Sequence, residues 1–209
     1  MGDWQELLKE WGCIHDNLYR NIDILYENNI VYPEKDNIFR VFRECTYKNC
    51  KVVMLFQDPY HNGSATGIAT ATERDKVPVT LKNMFKEIKN EYGKCDVSPN
   101  LLSWCRQGVL MLNCALTVEK ESPASHLKIW NAWTNSFISG LSSSKDLVWV
   151  LVGKPSQNFS KYIQKGIVLN CVHPAAEAYS GGNAGFFGSD IFTRVNNNLH
   201  SKIKWYEDV

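Results

Sequence analysis

A chain of 209 residues, 44% of them hydrophobic and 12% aromatic, can bury one substantial core, so a single domain over residues 1–209 is expected. Its 23 basic and 22 acidic residues leave a formal net charge of +1, which confines any nucleic-acid site to a local patch and neither supports nor excludes DNA as a partner. The seven cysteines are odd in number and form no CxxC pair, which fits reduced thiols in a cytosol-like compartment better than a disulfide framework or a zinc or iron-sulfur site.

The first residues, MGDWQELLKEWG, are charged and amphipathic, unlike a secretory leader, and no later apolar run reaches membrane-spanning length. A soluble protein with no membrane partner is expected, cytoplasmic or, in a eukaryotic cell, nuclear. Segment 4–28 reads as an amphipathic helix, followed by KVVMLF (51–56), the first of four short continuous apolar runs. Helical patterns at 80–92, with Thr80 placed to cap it, and at 100–107 lead to the second run, GVLMLN (108–113). Helices at 126–141 and 155–164 precede DLVWVLV (146–152) and GIVLNCV (166–172). SGGNAGFFGS (180–189) reads as a loop, and the closing KWYEDV as weakly ordered.

Continuous apolar runs suit strands covered on both faces, as in a parallel sheet, and their alternation with helices predicts an α/β layer fold. Ligands of such sheets bind beyond the carboxyl ends of the strands, so the loops after Phe56, Asn113, Val152 and Val172 should converge. Those ends carry Asp58 and Tyr60, Asn113, and His173 followed by Pro174. Singly, each has an ordinary role as turn, cap or core residue. Together, an acid, an amide and an imidazole can read a polar ring and move charge.

At these residues the chain resembles the family 1 uracil-DNA glycosylases. Their first motif, GQDPYH, is FQDPYH at 56–61 here. YPEKDNIFRVF (32–42), VPVTLKNMFKEI (77–88), SWCRQGVLMLNCALTV (103–118), ASHLKIW (124–130), HPAAEAY (173–179) and GFFGSDIF (185–192) continue the likeness in order. The resemblance implies a three-layer α/β/α fold with a small, mainly parallel sheet of about four strands. It implies a monomer without metal or other cofactor that excises uracil from single- or double-stranded DNA, with room for a proteinaceous inhibitor or repair partners.

It also implies roles. Asp58 stabilises the cationic sugar and positions water; His173, as a neutral imidazole, hydrogen-bonds the developing uracil anion, aided by backbone N–H groups near Gln57. Asn113 pairs with uracil N3–H and O4, and Tyr60 excludes the thymine methyl. Thr80, His126 and Lys154 are placed to contact the DNA backbone. Four departures reshape the pattern. Thr70 stands where the family stacks a phenylalanine on the base, and Phe56 where it has glycine. Ala175 and Ala178 replace phosphate-binding serines, and Glu177 replaces the wedging leucine, which leaves Tyr179 as the aromatic able to enter the stack. Two alternatives therefore accompany uracil excision: action on another or modified pyrimidine, with Phe56 supplying aromatic surface to the pocket, and a catalytically weak DNA-binding or accessory role.

Overall fold

The structure, a computed structural model, describes residues 1–206. The expected N-terminal helix is two: α1 (Gln5–Glu10) and α2 (Asp16–Asn28), separated where Gly12 adopts φ 70°. His15 restarts the helix, its Nδ1 accepting the Leu18 N–H at 3.2 Å in the manner of an N-cap. Strand β1 (Val31–Tyr32) and helix α3 (Val41–Glu44) follow, neither evident in the sequence pattern.

All four apolar runs form strands. They are β2 (Val52–Phe56), then, after α4 (Val79–Tyr92) and α5 (Leu102–Arg106), β3 (Val109–Asn113). The short β4 (Val118–Glu119) pairs antiparallel with β1; α6 (Leu127–Ser144) leads to β5 (Val148–Val152), and α7 (Gly153–Gln157) to β6 (Ile167–Cys171). The chain closes with α8 (Ala176–Tyr179) and α9 (Ile191–Asn197), one on each side of the segment expected to be loop.

The main sheet is parallel throughout, in the order β3-β2-β5-β6. Phe56 lies opposite Asn113, Leu55 opposite Leu151 and Val152 opposite Cys171, so the carboxyl ends are level and their loops emerge on one rim. β2, β3 and β5 are buried at every position, as continuous apolar strands should be. β6, at one edge, is not: Ile167 and Val168 are exposed, whereas β3 at the other edge stays covered.

Two further expectations change. Thr80 does not cap α4; Pro78 occupies the N-cap position and offers no side-chain bond, while Gly93 at φ 77° ends the helix in the left-handed conformation such termini favour. KWYEDV is not loose at its start, since Trp205 is buried edge-on to Trp104, 5.2 Å between ring centroids, and its Nε1–H bonds the Phe192 carbonyl at 3.1 Å. Residues 207–209 lie outside the described residues.

Candidate active site

Asp58 leaves β2 at the rim, its Oδ2 accepting the Ala124 N–H at 2.5 Å. Ala124 sits at φ 67°, a left-handed conformation that turns this N–H toward the carboxylate. Burial raises the Asp58 pKa, and the bonds from Ala124 and the Gln57 side chain, with the nearby His61, hold it back only in part. A carboxylate tuned upward but still solvated by N–H donors is a stronger base than a surface aspartate.

His173 follows β6, separated from β2 by the whole width of β5. The glycine after β5 bridges the gap. A Cβ on Gly153 would stand 3.2 Å from His173 Cβ, so only a bare backbone there lets the imidazole lean across the rim. It meets Phe56 edge-on, with 6.3 Å between ring centroids. The Ala175 N–H donates to His173 Nδ1 at 3.2 Å, which makes Nδ1 the acceptor and leaves the proton of the neutral ring on Nε2. Burial lowers the His173 pKa and favours that neutral form.

Asn113 closes β3 beside Phe56, and its buried Oδ1 has no hydrogen-bond partner. The same holds for Thr70 Oγ1, whose residue is held at φ 62°. Unpaired buried acceptors and hydroxyls are rare and usually await a ligand or a water. Tyr60 ties the loop after β2 to itself and to α4: its hydroxyl donates to the Thr70 carbonyl at 3.0 Å and also meets the Thr80 side chain. Burial raises its pKa, so the phenol stays protonated.

The residues expected around this centre divide into buried and exposed. Thr80 is buried against Tyr60, where its hydroxyl does not face the solvent. His126 is buried too; the Thr117 hydroxyl accepts the Trp130 indole N–H at 2.7 Å and gives its own proton to His126 Nδ1 at 2.9 Å, the arrangement that uses every polar group. Burial lowers the His126 pKa, opposed by the nearby Glu119. Lys154 is exposed at the start of α7. Ala175 contributes its backbone N–H in place of a side chain.

Two expected positions are corrected. Phe56 is 2% exposed and covered by protein, so it braces His173 from the core instead of offering a face to a base. Glu177 is 3% exposed and points inward, accepting N–H groups from Ala184, Phe186 and Phe187 at 2.9, 2.5 and 2.9 Å. Burial acts to raise its pKa, but those bonds and the Ser180 hydroxyl outweigh it and leave the carboxyl below its ordinary range. It is not a wedge. Tyr179, 91% exposed, is the aromatic that stands clear of the surface.

Sequence reasoning missed Gly153, Ala124 and the Ala175 N–H. Gly153 carried a signal, a glycine directly after an apolar strand. The other two act through backbone alone, which no side-chain pattern reveals. A cavity of about 620 Å³, lined by Lys51, Leu147, Ile167 and Leu199, lies at the opposite, amino ends of the strands and is separate from this centre.

Comparison with solved structures gives the same architecture. The chain is similar to a mimivirus uracil-DNA glycosylase at 21% identity with a TM-score of 0.85, covering 98% of this chain and 86% of that one. A variant of mimivirus UNG solved in complex with UGI matches equally, at 21% identity and TM-score 0.85 over 99% and 88% of the two chains. The UNG of Nitratifractor salsuginis follows at 18% identity, TM-score 0.65 and 84% of each chain. Identities this low speak for the fold. The family is shown by a match of residues 42–200 to the uracil DNA glycosylase superfamily, to which this chain therefore belongs.

Proposed function

We propose that the protein is a monofunctional uracil-DNA glycosylase acting in base excision repair. The observation that carries this reading is the pairing, on one rim, of a carboxylate pushed up by burial with an imidazole whose proton is fixed on Nε2. Hydrolysis of an N-glycosidic bond leaves positive charge on the sugar and negative charge on the base. Asp58 meets the first, and orients or deprotonates the attacking water. His173 Nε2–H meets the second at uracil O2.

The target nucleotide must leave the stack to reach this rim. The unpaired Asn113 Oδ1 accepts uracil N3–H while the amide NH₂ donates to O4; cytosine presents the reversed pattern and leaves both groups unsatisfied. Tyr60 fills the space that a thymine methyl would need. Lys154 faces the DNA backbone, and Tyr179 occupies the vacated stack, a role that exposed aromatics fill well. A protein inhibitor of the UGI kind belongs to the same reading, supported by the mimivirus complex.

A second reading, action on a modified pyrimidine, is favoured by one observation: the unpaired Thr70 hydroxyl offers the base a polar contact. Labelled single- and double-stranded oligonucleotides carrying uracil, thymine or modified pyrimidines, cleaved chemically at abasic sites, separate the two. Uracil-dependent cleavage lost in D58N and H173A is expected. Cleavage only at another base replaces the first reading with the second, and binding without excision on every substrate removes both.

A further inference from the structure

Residues 184–193 contain no strand and become helical only at their end, yet seven of their backbone N–H groups are received by three glutamates. Glu177 takes Ala184, Phe186 and Phe187, while Glu87 takes Gly188 at 3.0 Å and Asp190 at 3.2 Å. Glu91, one turn further along α4, takes Phe192 at 3.2 Å and Thr193 at 2.6 Å. Carboxylates thus replace the carbonyl partners that a sheet or helix would supply.

Helix α8 is only four residues long and cannot hold its own shape. Its start is fixed by the Asn83 amide, which donates to the Pro174 carbonyl at 2.8 Å, and by the Ala176 N–H on the His173 carbonyl at 2.9 Å. Its far side is fixed by Glu177 alone among side chains of the helix, through the 184–187 N–H groups, with the Gly182 N–H closing back on the Glu177 carbonyl at 2.9 Å. Two residues on, Tyr179 projects into solvent, 91% exposed, with nothing packed on its ring to define its direction. Its aim is set by the backbone beneath it.

We propose that Glu177 is a positioning residue: by binding the N–H groups of the following loop it locks α8, and so holds Tyr179 at the rim beside His173 in the pose that enters duplex DNA. The proposal rests on the glycosylase reading and on Tyr179 as the residue that enters the stack. It explains why a carboxylate serves at a position facing DNA, since its charge is spent on the protein's own backbone and not presented to phosphates.

The test compares kcat/KM for uracil excision from single-stranded and from duplex oligonucleotides. E177Q keeps the side chain's shape but replaces one acceptor with a donor, so it cannot receive all three N–H groups. In E177Q and in Y179A the ratio of duplex to single-strand kcat/KM should fall about tenfold, the scale of one base–aromatic stack. The double variant should show no further fall, because Glu177 acts through Tyr179. A fall of equal size on both substrates in E177Q, an unaltered ratio, or additive losses in the double variant would each overturn the proposal. If Y179A leaves the ratio unaltered, the stack-entering role fails and this proposal with it, while uracil excision by the wild type stands. If the wild type excises uracil from neither strand, the glycosylase reading fails; binding to a duplex with a stable abasic site then decides, and equal, non-additive weakening in the two variants upholds the positioning role while additive weakening removes it.

Discussion

Phe56 and His173 meet edge-on, and through that contact the packing of a strand reaches the chemistry of a ring. The phenyl group keeps water from one side of the imidazole, part of the burial that lowers its pKa. F56A should therefore let the His173 pKa rise toward the ordinary value of about 6.5, readable by NMR titration, besides a loss of about 3–5 kcal/mol of stability from the cavity. Asp58 shifts in the opposite direction, and only its ionised form stabilises the sugar cation. kcat/KM should then fall as pH drops through a pKa raised above the ordinary carboxylate value of about 3.9. D58N should remove that acid limb and lower the rate by about 10²–10⁴-fold. Thr70 gives the reverse combination of stability and function. Burying an unpaired hydroxyl costs about 1–3 kcal/mol, so T70V should raise the melting temperature while weakening excision of whichever base uses the hydroxyl.

Among elements, the strand-end loops carry the centre, and Gly153 is their most sensitive joint. G153A adds a Cβ 3.2 Å from that of His173 and strains a backbone held at φ 79°. It should swing the imidazole off the rim, with excision falling about 10²-fold, the scale of losing one anion-stabilising donor, while circular dichroism stays near wild type. The four main strands were legible as continuous apolar runs, and so were Asp58, Asn113 and His173 at their ends. An apolar run cannot announce how much of it the layers on either face will cover, hence the exposed Ile167 and Val168 on β6 against a fully buried β3 at the opposite edge. The long N-terminal helix broke at Gly12, where a periodic pattern runs through a residue that takes φ 70°. The loop read at 180–189 is irregular in the structure as well, but that N–H groups of 184–193 run to distant glutamates is something local sequence does not encode. Glu177 was misplaced for the same reason: its partners lie seven to ten residues on.

Across the whole molecule, one hydrophobic cluster extends from Trp4 to Trp205. Trp4, fully buried, packs edge-on to Phe42 at 5.2 Å and donates its indole N–H to the Cys45 carbonyl at 2.6 Å, so the first helices are part of the core and not an appendage. W4A should cost about 3–5 kcal/mol in denaturant unfolding. All seven cysteines are free, and only Cys95 is not buried. Burial pushes the Cys95 thiol up to about 11 and those of Cys13 and Cys171 up to about 12, so thiolate is scarce at neutral pH. A thiol reagent should therefore modify Cys95 slowly and the other six hardly at all in the native protein, and all seven after denaturation.

The glutamate-held segment also changes what amide hydrogen exchange should look like. Slow exchange is normally read as the mark of helix or sheet, since it reports how seldom an N–H is released to water. Ala184, Phe186, Phe187 and Gly188 belong to neither, yet each N–H is held by a carboxylate. A Gly-rich coil should accordingly exchange as slowly as a helix, and a single E177Q substitution should speed exchange among the first three of these amides while leaving Gly188, bound to Glu87, protected.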